Sequence, residues 1–387
     1  MIFFSSLVLL AWIYLIFFRG RFWWADQRLG GAETLIKWPS ILAVIPARDE
    51  QDTINQTVTS LLQQNYPGHL NVVVVDDNSR DKTVDRAGSD PRLHIVSGKP
   101  LIKNWTGKLW ALHQGIEEGL KKIGNTDYLL LTDADIFHSP ENVKNLVYKA
   151  ETENLDLVSL MVKLNVRIFW EKMLIPAFVF FFQKLYPFIW VNSPDNNTAA
   201  AAGGCMLINR KSLAVAGGVN AVHQQLIDDC AIAKLLKRQG FKIWLGLSDD
   251  TVSLRQYHQL SEIWNMVART AFVQLNYSLL LVQLCVVAML VIYLAPVLLV
   301  LFAFYFSNTY ALMLSGGAWV LMITSYLPML KYYQISVLWA LFLPVQALLY
   351  LSMTISSAWR HLHGQGGSWK GRTYCADQKR VDGVIEE

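Results

Sequence analysis

Hydrophobic positions follow two different patterns along this chain. Over residues 38–165, short apolar runs alternate with stretches of helical spacing. Ile41–Ile45 is a buried-strand run ending at Pro46. Val72–Val75 is four consecutive valines, β-branched and suited to a central parallel strand. Leu93–Val96, Tyr128–Leu131 and Asp156–Met161 read as further strands. Between them, Asp52–Gln64 puts Ile54, Val58, Leu61 and Leu62 on one helical face. Thr106–Lys122 does the same with Leu109, Leu112 and Ile116, and Pro140–Ala150 reads as another helix. This rhythm predicts an α/β domain, a parallel sheet with helices on both faces. Ligands in such sheets sit outside the carboxyl ends of the strands. There is no internal repeat, and the dinucleotide fingerprint G-x-G-x-x-G is absent.

The second pattern is continuous hydrophobicity. From Thr270 to Trp359 the only formal charge is Lys331. Three apolar blocks stand there, Tyr277–Phe306, Tyr310–Leu330 and Ile335–Ala358, and a membrane span needs about 20 residues. The first block would reach about 45 Å as a helix, longer than a bilayer core, so it tilts or ends in an interfacial turn near Pro296. Met1–Phe18 is a fourth apolar block, followed by Arg19 and Arg21 and then by Phe22, Trp23 and Trp24. A cleaved signal would carry its basic residues before the apolar run and small residues after it. The block therefore reads as an uncleaved anchor over residues 1–21, with its N-terminus outside and the two arginines in the cytoplasm.

Basic residues also open the tail, at Arg360, His361, His363, Lys370 and Arg372, and so place 359–387 in the cytoplasm. Three full spans over 272–358 would place that tail outside. Either one block is re-entrant or interfacial, or the long first block folds into more than one element. Ile168–Val191 is apolar and aromatic, but Glu171, Lys172 and Lys184 leave no uncharged run long enough to span. Two readings stand: a core helix pair broken at Pro176 and Pro187, or a segment lying in the membrane interface and gating the approach of a lipid.

Composition sharpens this picture. The chain is 53% hydrophobic and 17% charged, against about 25% charged in an ordinary soluble domain. This excludes a disordered chain and fits a membrane protein with one soluble domain over 36–271. The formal net charge is +4 with no basic stripe, which argues against nucleic acid as a partner. Cys205, Cys230, Cys285 and Cys375 show neither metal nor disulfide spacing.

Candidate chemistry gathers at strand ends. Val72–Val75 runs into Asp76-Asp77-Asn78-Ser79, and Tyr128–Leu131 runs into Thr132-Asp133-Ala134-Asp135. Each alone is compatible with an ordinary turn, since Asp and Asn suit turns and helix caps. Both at carboxyl ends of one sheet point to a single crevice. A D-x-D there is a hard-oxygen site for Mg²⁺ or Mn²⁺, holding a diphosphate rather than building an all-protein cage. Lys108 is either a solvated helix lysine or a point charge near a helix start. Asp228 and Asp229 are either caps of the helix Cys230–Arg238 or chemistry, with Asp229 as a proton acceptor. His69, His94, His113, His223 and His258 show no metal spacing and read as structural or surface residues.

In order, Pro46-Ala47-Arg48-Asp49-Glu50, Val75-Asp76-Asp77-Asn78-Ser79-Arg80-Asp81-Lys82-Thr83, Gly107-Lys108-Leu109-Trp110-Ala111 and Asp133-Ala134-Asp135 resemble the successive motifs of family 2 glycosyltransferases with the GT-A fold. The likeness continues through Gly203-Gly204-Cys205-Met206-Leu207-Ile208, Asp228-Asp229 and Arg255 to Gly367-Ser368-Trp369-Lys370-Gly371-Arg372. The layout most resembles the hopene-associated membrane glycosyltransferases, relatives of ceramide and carotenoid glycosyltransferases. The family's Q-x-x-R-W is replaced by Met266-Val267-Ala268-Arg269-Thr270, which weakens any case for processive polymer synthesis.

The resemblance implies a GT-A catalytic domain, with a Rossmann-like mixed or parallel sheet, between an N-terminal anchor helix and C-terminal transmembrane helices. It implies an inverting, metal-dependent transfer from a nucleotide sugar, commonly a uridine one, to a lipid at the cytoplasmic face of the inner membrane. Ala47, Arg48 and Glu50 would line the nucleotide pocket, and Asp76 or Asp77 would bond the base. Lys108 would approach the diphosphate, Asp133 and Asp135 would hold the metal, and Asp229 would be the catalytic base. Asp228, Arg255 and Arg269 are candidate phosphate or acceptor contacts, although Arg269 suits a membrane edge equally well. A polysaccharide synthase would need a polar channel, which the nearly uncharged blocks disfavour. A silent scaffold would predict loss of Asp133, Asp135 or Asp229, and all three are present.

Overall fold

A computed structural model of the protein describes residues 1–369 and 372–373. Of the expected tail 359–387, positions 370, 371 and 374–387, Cys375 among them, lie outside the described residues. The chain forms two compact units. One comprises Asp26–Asn165 and Phe188–Gln256. The other comprises Met1–Ala25, Val166–Pro187 and the chain from Tyr257 onward.

The first unit is built on eight strands: β1 (Ile41–Ala47), β2 (Leu70–Asp76), β3 (Leu93–Ser97), β4 (Tyr128–Thr132), β5 (Ile136–Phe137), β6 (Leu157–Lys163), β7 (Cys205–Asn209) and β8 (Ile243–Ser253). Their order in the sheet is β3-β2-β1-β4-β7-β6-β8-β5. The strands β3, β2, β1 and β4 are mutually parallel, as the β-α-β-α rhythm predicts. Beyond β4 the sheet becomes mixed, as the GT-A resemblance implies. There β7 inserts antiparallel between β4 and β6, and β5 pairs antiparallel with β8. No local periodicity announces this, because β7 arrives from far along the chain.

Alternate residues of β1 and β2 face opposite layers. Ile41, Ala43, Ile45, Val72 and Val74 pack with Ile54, Val58 and Leu61 of the helix Ile54–Leu62, and with Val143, Leu146 and Val147 of Asn142–Glu153. The opposite face meets the helix Gly107–Ile123. Burial on both faces is why these strands read as unbroken apolar runs. The helix comes close because it presents glycine to the sheet. A Cβ on Gly115 would stand 2.5 Å from Val44 Cγ1 and 2.7 Å from Val75 Cγ2, and one on Gly119 would stand 2.7 Å from Leu42 Cδ2. Any larger residue would lift the helix, and Lys108 with it, off the sheet.

The second unit is helical. Leu279–Tyr305, Thr309–Tyr332 and Val337–Leu362 are each long and apolar enough to cross a membrane, and Ile2–Phe18 is a shorter apolar helix. The long first block does not divide into two elements. It runs as one helix with a π-helical turn at Leu290–Leu294, which ends two residues before Pro296. Proline has no N–H to return to the carbonyl four residues earlier, here Ile292. The indole Nε1–H of Trp12 donates to that carbonyl at 2.8 Å, and the Trp12 ring meets Tyr293 edge-on. Apolar surroundings offer no water to do this instead.

The segment Ile168–Val191 is a helix pair, but it breaks only once. The helix Phe169–Leu185 carries Pro176 inside it, and a second helix, Phe188–Asn192, follows Pro187. Phe180 is fully buried against Phe22 and Tyr326, while Phe181 meets Tyr293 and Tyr350. Phe169 and Leu185 are exposed. Buried Glu171 accepts hydrogen bonds from the backbone N–H groups of Arg167, Ile168 and Tyr257.

Because Trp12 serves the carbonyl that Pro296 leaves open, the two residues are coupled. Trp12→Phe is expected to destabilise the helical unit by about 1–2 kcal/mol beyond the loss of ring area. In a Pro296→Ala background the helix recovers its own bond, and that extra cost shrinks. A double-mutant cycle by thermal melting in detergent checks this; simple additivity would deny the coupling.

Candidate active site

Parallel strands bring their carboxyl ends to one edge. Ala47 pairs with Asp76, and Asp76 with Ser97, so the segments after β1, β2 and β3 leave the sheet side by side. Asp133 follows β4 on the same edge. Cys205 at the start of the reversed β7 pairs with Thr132, which brings Gly203-Gly204 there too.

The loops after β1 and β2 are laced together. Ala47 is buried at the end of its strand, and its carbonyl accepts from the Asp77 N–H at 2.8 Å. Arg48 donates to the Asp77 carbonyl at 2.5 Å, with its guanidinium 3.7 Å from the buried Asp77 carboxylate. Asp76 accepts from the Ser79 N–H and so shapes the turn that follows. Glu50 donates its N–H to Thr83 Oγ1, and its carboxylate accepts from Thr53 Oγ1. Asp49 and Asn78 both adopt positive φ, at 51° and 56°, which Asp and Asn tolerate better than most residues.

The charged centre is Lys108, the second residue of the helix Gly107–Ile123. Its Nζ lies 2.8 Å from Asp133 Oδ1 and 3.2 Å from Asp228 Oδ2. Burial works against the ammonium, but the carboxylates of Asp133, Asp228 and Asp229 outweigh it and push the lysine above its ordinary range. Lys108 is therefore no solvated helix lysine; it joins the D-x-D to the Asp228-Asp229 pair.

The helix Asp228–Arg238 begins with both acids in its first turn, and Ile227 is the residue at its cap position. Neither acid caps it. Asp229 Oδ2 accepts from the Gly203 N–H at 2.8 Å, and Oδ1 from the Cys230 N–H at 2.7 Å. Burial, then the neighbouring Asp228 charge, push the Asp229 carboxyl up to about 6, against the pull of Lys108 and the two amides. Gly203 packs tightly here: a Cβ would stand 3.1 Å from Lys108 Nζ and 3.3 Å from Asp229 Oδ2, so both side chains would have to give way by a few tenths of an ångström.

Asp133 and Asp135 occupy the turn between β4 and β5. The Asp135 carbonyl accepts from the Leu254 N–H just past β8, and the Ala134 carbonyl accepts from Thr57 Oγ1. Among the described residues, no group of three or more His, Cys, Asp and Glu side chains gathers as a metal cage.

Arg255 is exposed just beyond β8, where its N–H donates to Ser253 Oγ. Arg269 ends the helix Leu260–Ala268 in the helical unit, whereas the other candidate residues lie in the α/β unit. Reading the sequence did not single out the Gly203 amide, Thr132 or His138. His138 stands three residues after Asp135, and that proximity is the one signal the sequence offers.

Comparisons with known proteins fit this geometry. Residues 42–216 match the family model described as Glycosyl transferase family 2. An undecaprenyl-phosphate 4-deoxy-4-formamido-L-arabinose transferase of Shewanella sediminis is 30% identical over 113 residues, 28% of this chain and 32% of that protein. A 4,4'-diaponeurosporenoate glycosyltransferase of Staphylococcus aureus is 24% identical over 234 residues, 58% of this chain and 60% of that protein. The chain thus spans about a third and three fifths of the lengths of these relatives. A solved mannosyltransferase from Pyrobaculum calidifontis, in complex with GDP-Man and Mn²⁺, superposes with a TM-score of 0.51 at 15% identity, covering 92% of this chain and 99% of that one. The fold is of the GT-A type, a mixed sheet followed by three apolar helices long enough to span a membrane.

The raised Asp229 carboxyl makes stability depend on pH. The folded state holds that proton more tightly than the unfolded chain, where Asp titrates near 4. The resulting stability is present below about pH 4 and lost as pH rises through about 6. Asp229→Asn removes this dependence. The wild type should therefore lose on the order of 1–3 kcal/mol relative to the variant between about pH 4 and pH 7. Melting curves of both proteins across that range test this, and a constant difference between them would contradict it.

Proposed function

We propose that the protein is an inverting, metal-dependent glycosyltransferase of the membrane. In this reading it moves a sugar from a nucleotide-diphosphate donor to a lipid. The observation that carries it is the convergence of Lys108, Asp133, Asp228 and Asp229 at the carboxyl edge of the sheet, with Asp229 held by the Gly203 amide. The names of the two sequence relatives, a transferase on undecaprenyl phosphate and one on diaponeurosporenoate, support a lipid acceptor. Hopanoid-related lipids are the acceptor class the motif resemblance favours, and a uridine diphosphate sugar is the donor to test first.

The donor's leaving group is a diphosphate, whose developing charge needs cations. Asp133 and Asp135 are oxygen donors in one partly exposed turn, a set that suits Mg²⁺ or Mn²⁺, with the remaining ligands supplied by the diphosphate and water. Such an ion, when bound, would neutralise the leaving phosphates. Lys108 adds a fixed positive charge beside the same turn. Arg48, Glu50, Asp76 and Asp77 shape the nucleotide end of the edge.

Asp229 takes the proton of the acceptor hydroxyl as it attacks the anomeric carbon. A carboxyl at about 6 is ionised at neutral pH yet basic enough to accept that proton. The Gly203 and Cys230 N–H groups hold one oxygen each and so fix the orientation of the carboxylate. Displacement with a single base and no covalent intermediate inverts the anomeric centre. With the helices in the inner membrane and the α/β unit in the cytoplasm, the nucleotide sugar arrives from the cytosol and the lipid from the bilayer.

Two variants separate the roles. Asp229→Asn should lower kcat by about 10²–10⁴-fold with donor affinity little changed. Asp135→Ala should instead abolish Mn²⁺-dependent UDP binding in calorimetry while the fold survives. Full turnover in the first, or unchanged metal-dependent binding in the second, would refute the corresponding assignment.

A further inference from the structure

Behind the D-x-D turn lies a buried chain of hydrogen bonds that the proposed chemistry does not use directly. Thr132, His138 and Asn142 are each no more than 2% exposed. Thr132 Oγ1 lies 2.7 Å from the Gly204 carbonyl and 2.9 Å from His138 Nε2. His138 Nδ1 lies 2.9 Å from Asn142 Nδ2.

The direction of this chain is determined from one end. A carbonyl can only accept, so the Thr132 hydroxyl donates to Gly204. Its oxygen must then accept, so His138 Nε2 carries a hydrogen. Burial pushes the His138 imidazole down to about 3, so the ring is neutral and its Nδ1 is an acceptor. Asn142 Nδ2 donates to it. Every donor and acceptor along the line has one consistent role.

The chain ends where the chemistry begins. Gly204 follows Gly203, whose N–H holds Asp229 Oδ2 at 2.8 Å. Thr132 precedes Asp133. A second arm leaves His138 through its own N–H, which donates to Ser60 Oγ; Ser60 Oγ in turn donates to the Thr57 carbonyl. Thr57 Oγ1 donates to the Ala134 carbonyl, in the middle of the D-x-D. The network thus ties the start of β7 to the end of β4 through side chains, beyond the strand pairing of Thr132 with Cys205.

We propose that Thr132 and His138 are positioning residues for glycosyl transfer. Their chain fixes the Gly203–Gly204 segment, so that the Gly203 amide aims the Asp229 carboxylate at the acceptor hydroxyl. This rests on the reading of Asp229 as the base. The chain touches the backbone of the base's anchor, so its loss should reach kcat before donor binding. A residue serving only to stabilise the fold would lower the melting temperature without that separation.

The test compares Thr132→Val, which keeps the shape and removes the hydroxyl, with Thr132→Ser, which keeps the hydroxyl. Three quantities are read: kcat for lipid glycosylation, UDP affinity with Mn²⁺, and hydrogen exchange of the Gly203 amide. In Thr132→Val, kcat should fall about 10–100-fold, UDP affinity should stay within about twofold, and Gly203 should exchange about tenfold faster. Thr132→Ser should match the wild type in all three. An unchanged Gly203 amide in Thr132→Val would overturn the chain. A faster amide with undiminished kcat, or with UDP affinity lost in parallel, would overturn its positioning role. Failure of the wild-type protein to transfer sugar at all would instead contradict the glycosyltransferase reading, and the exchange comparison would still decide the chain.

Discussion

One ammonium among three carboxylates organises this site. Lys108 stands against Asp133 and Asp228, with Asp229 beside them, and without it these acids would repel one another in a poorly solvated crevice. Much of the α/β unit can be read as what puts that lysine there. The helix that carries it lies close on β1 and β2 because Gly115 and Gly119 leave no side chain between. The three acids come from the end of β4 and from the helix Asp228–Arg238, far apart in sequence. Gly203 completes the group: it packs tightly against Lys108 and Asp229 and gives its N–H to the carboxylate.

The parallel half of the sheet was legible from the residues because its strands are buried on both faces. Val72–Val75 lies within Leu70–Asp76, and Ile41–Ile45 within Ile41–Ala47. Both carboxylate-bearing strand ends came to one edge as their positions suggested. The insertion of β7 beside β4 was not legible, because Cys205–Asn209 carries no local mark of its partner or direction. Asp229 could have been a helix cap on local rules; its bond to Gly203 is a long-range fact that shows only in three dimensions. His138 escaped notice for a related reason. A lone buried histidine has no spacing signature, and its meaning lies in the directed chain from Asn142 to Gly204.

The helical unit shows the same limit. Its apolar blocks were plain from composition. The fate of the longest was not, since Pro296 suggested a turn and the structure instead absorbs it with a π-helical turn and the Trp12 indole. Likewise Pro176 and Pro187 looked alike in sequence, yet the chain passes through the first as helix and breaks only near the second. At Pro296 a neighbouring indole serves the carbonyl that proline leaves open, and sequence spacing does not reveal that.

The central claim is direct displacement at the anomeric carbon with Asp229 as the only base. It is tested most directly by the anomeric configuration of the glycolipid formed from an α-configured nucleotide sugar, read by proton NMR of the purified product. A β linkage is the predicted result. An α linkage would contradict the account, because retention requires a second displacement or an internal return, and a single displacement assisted by Asp229 supplies neither.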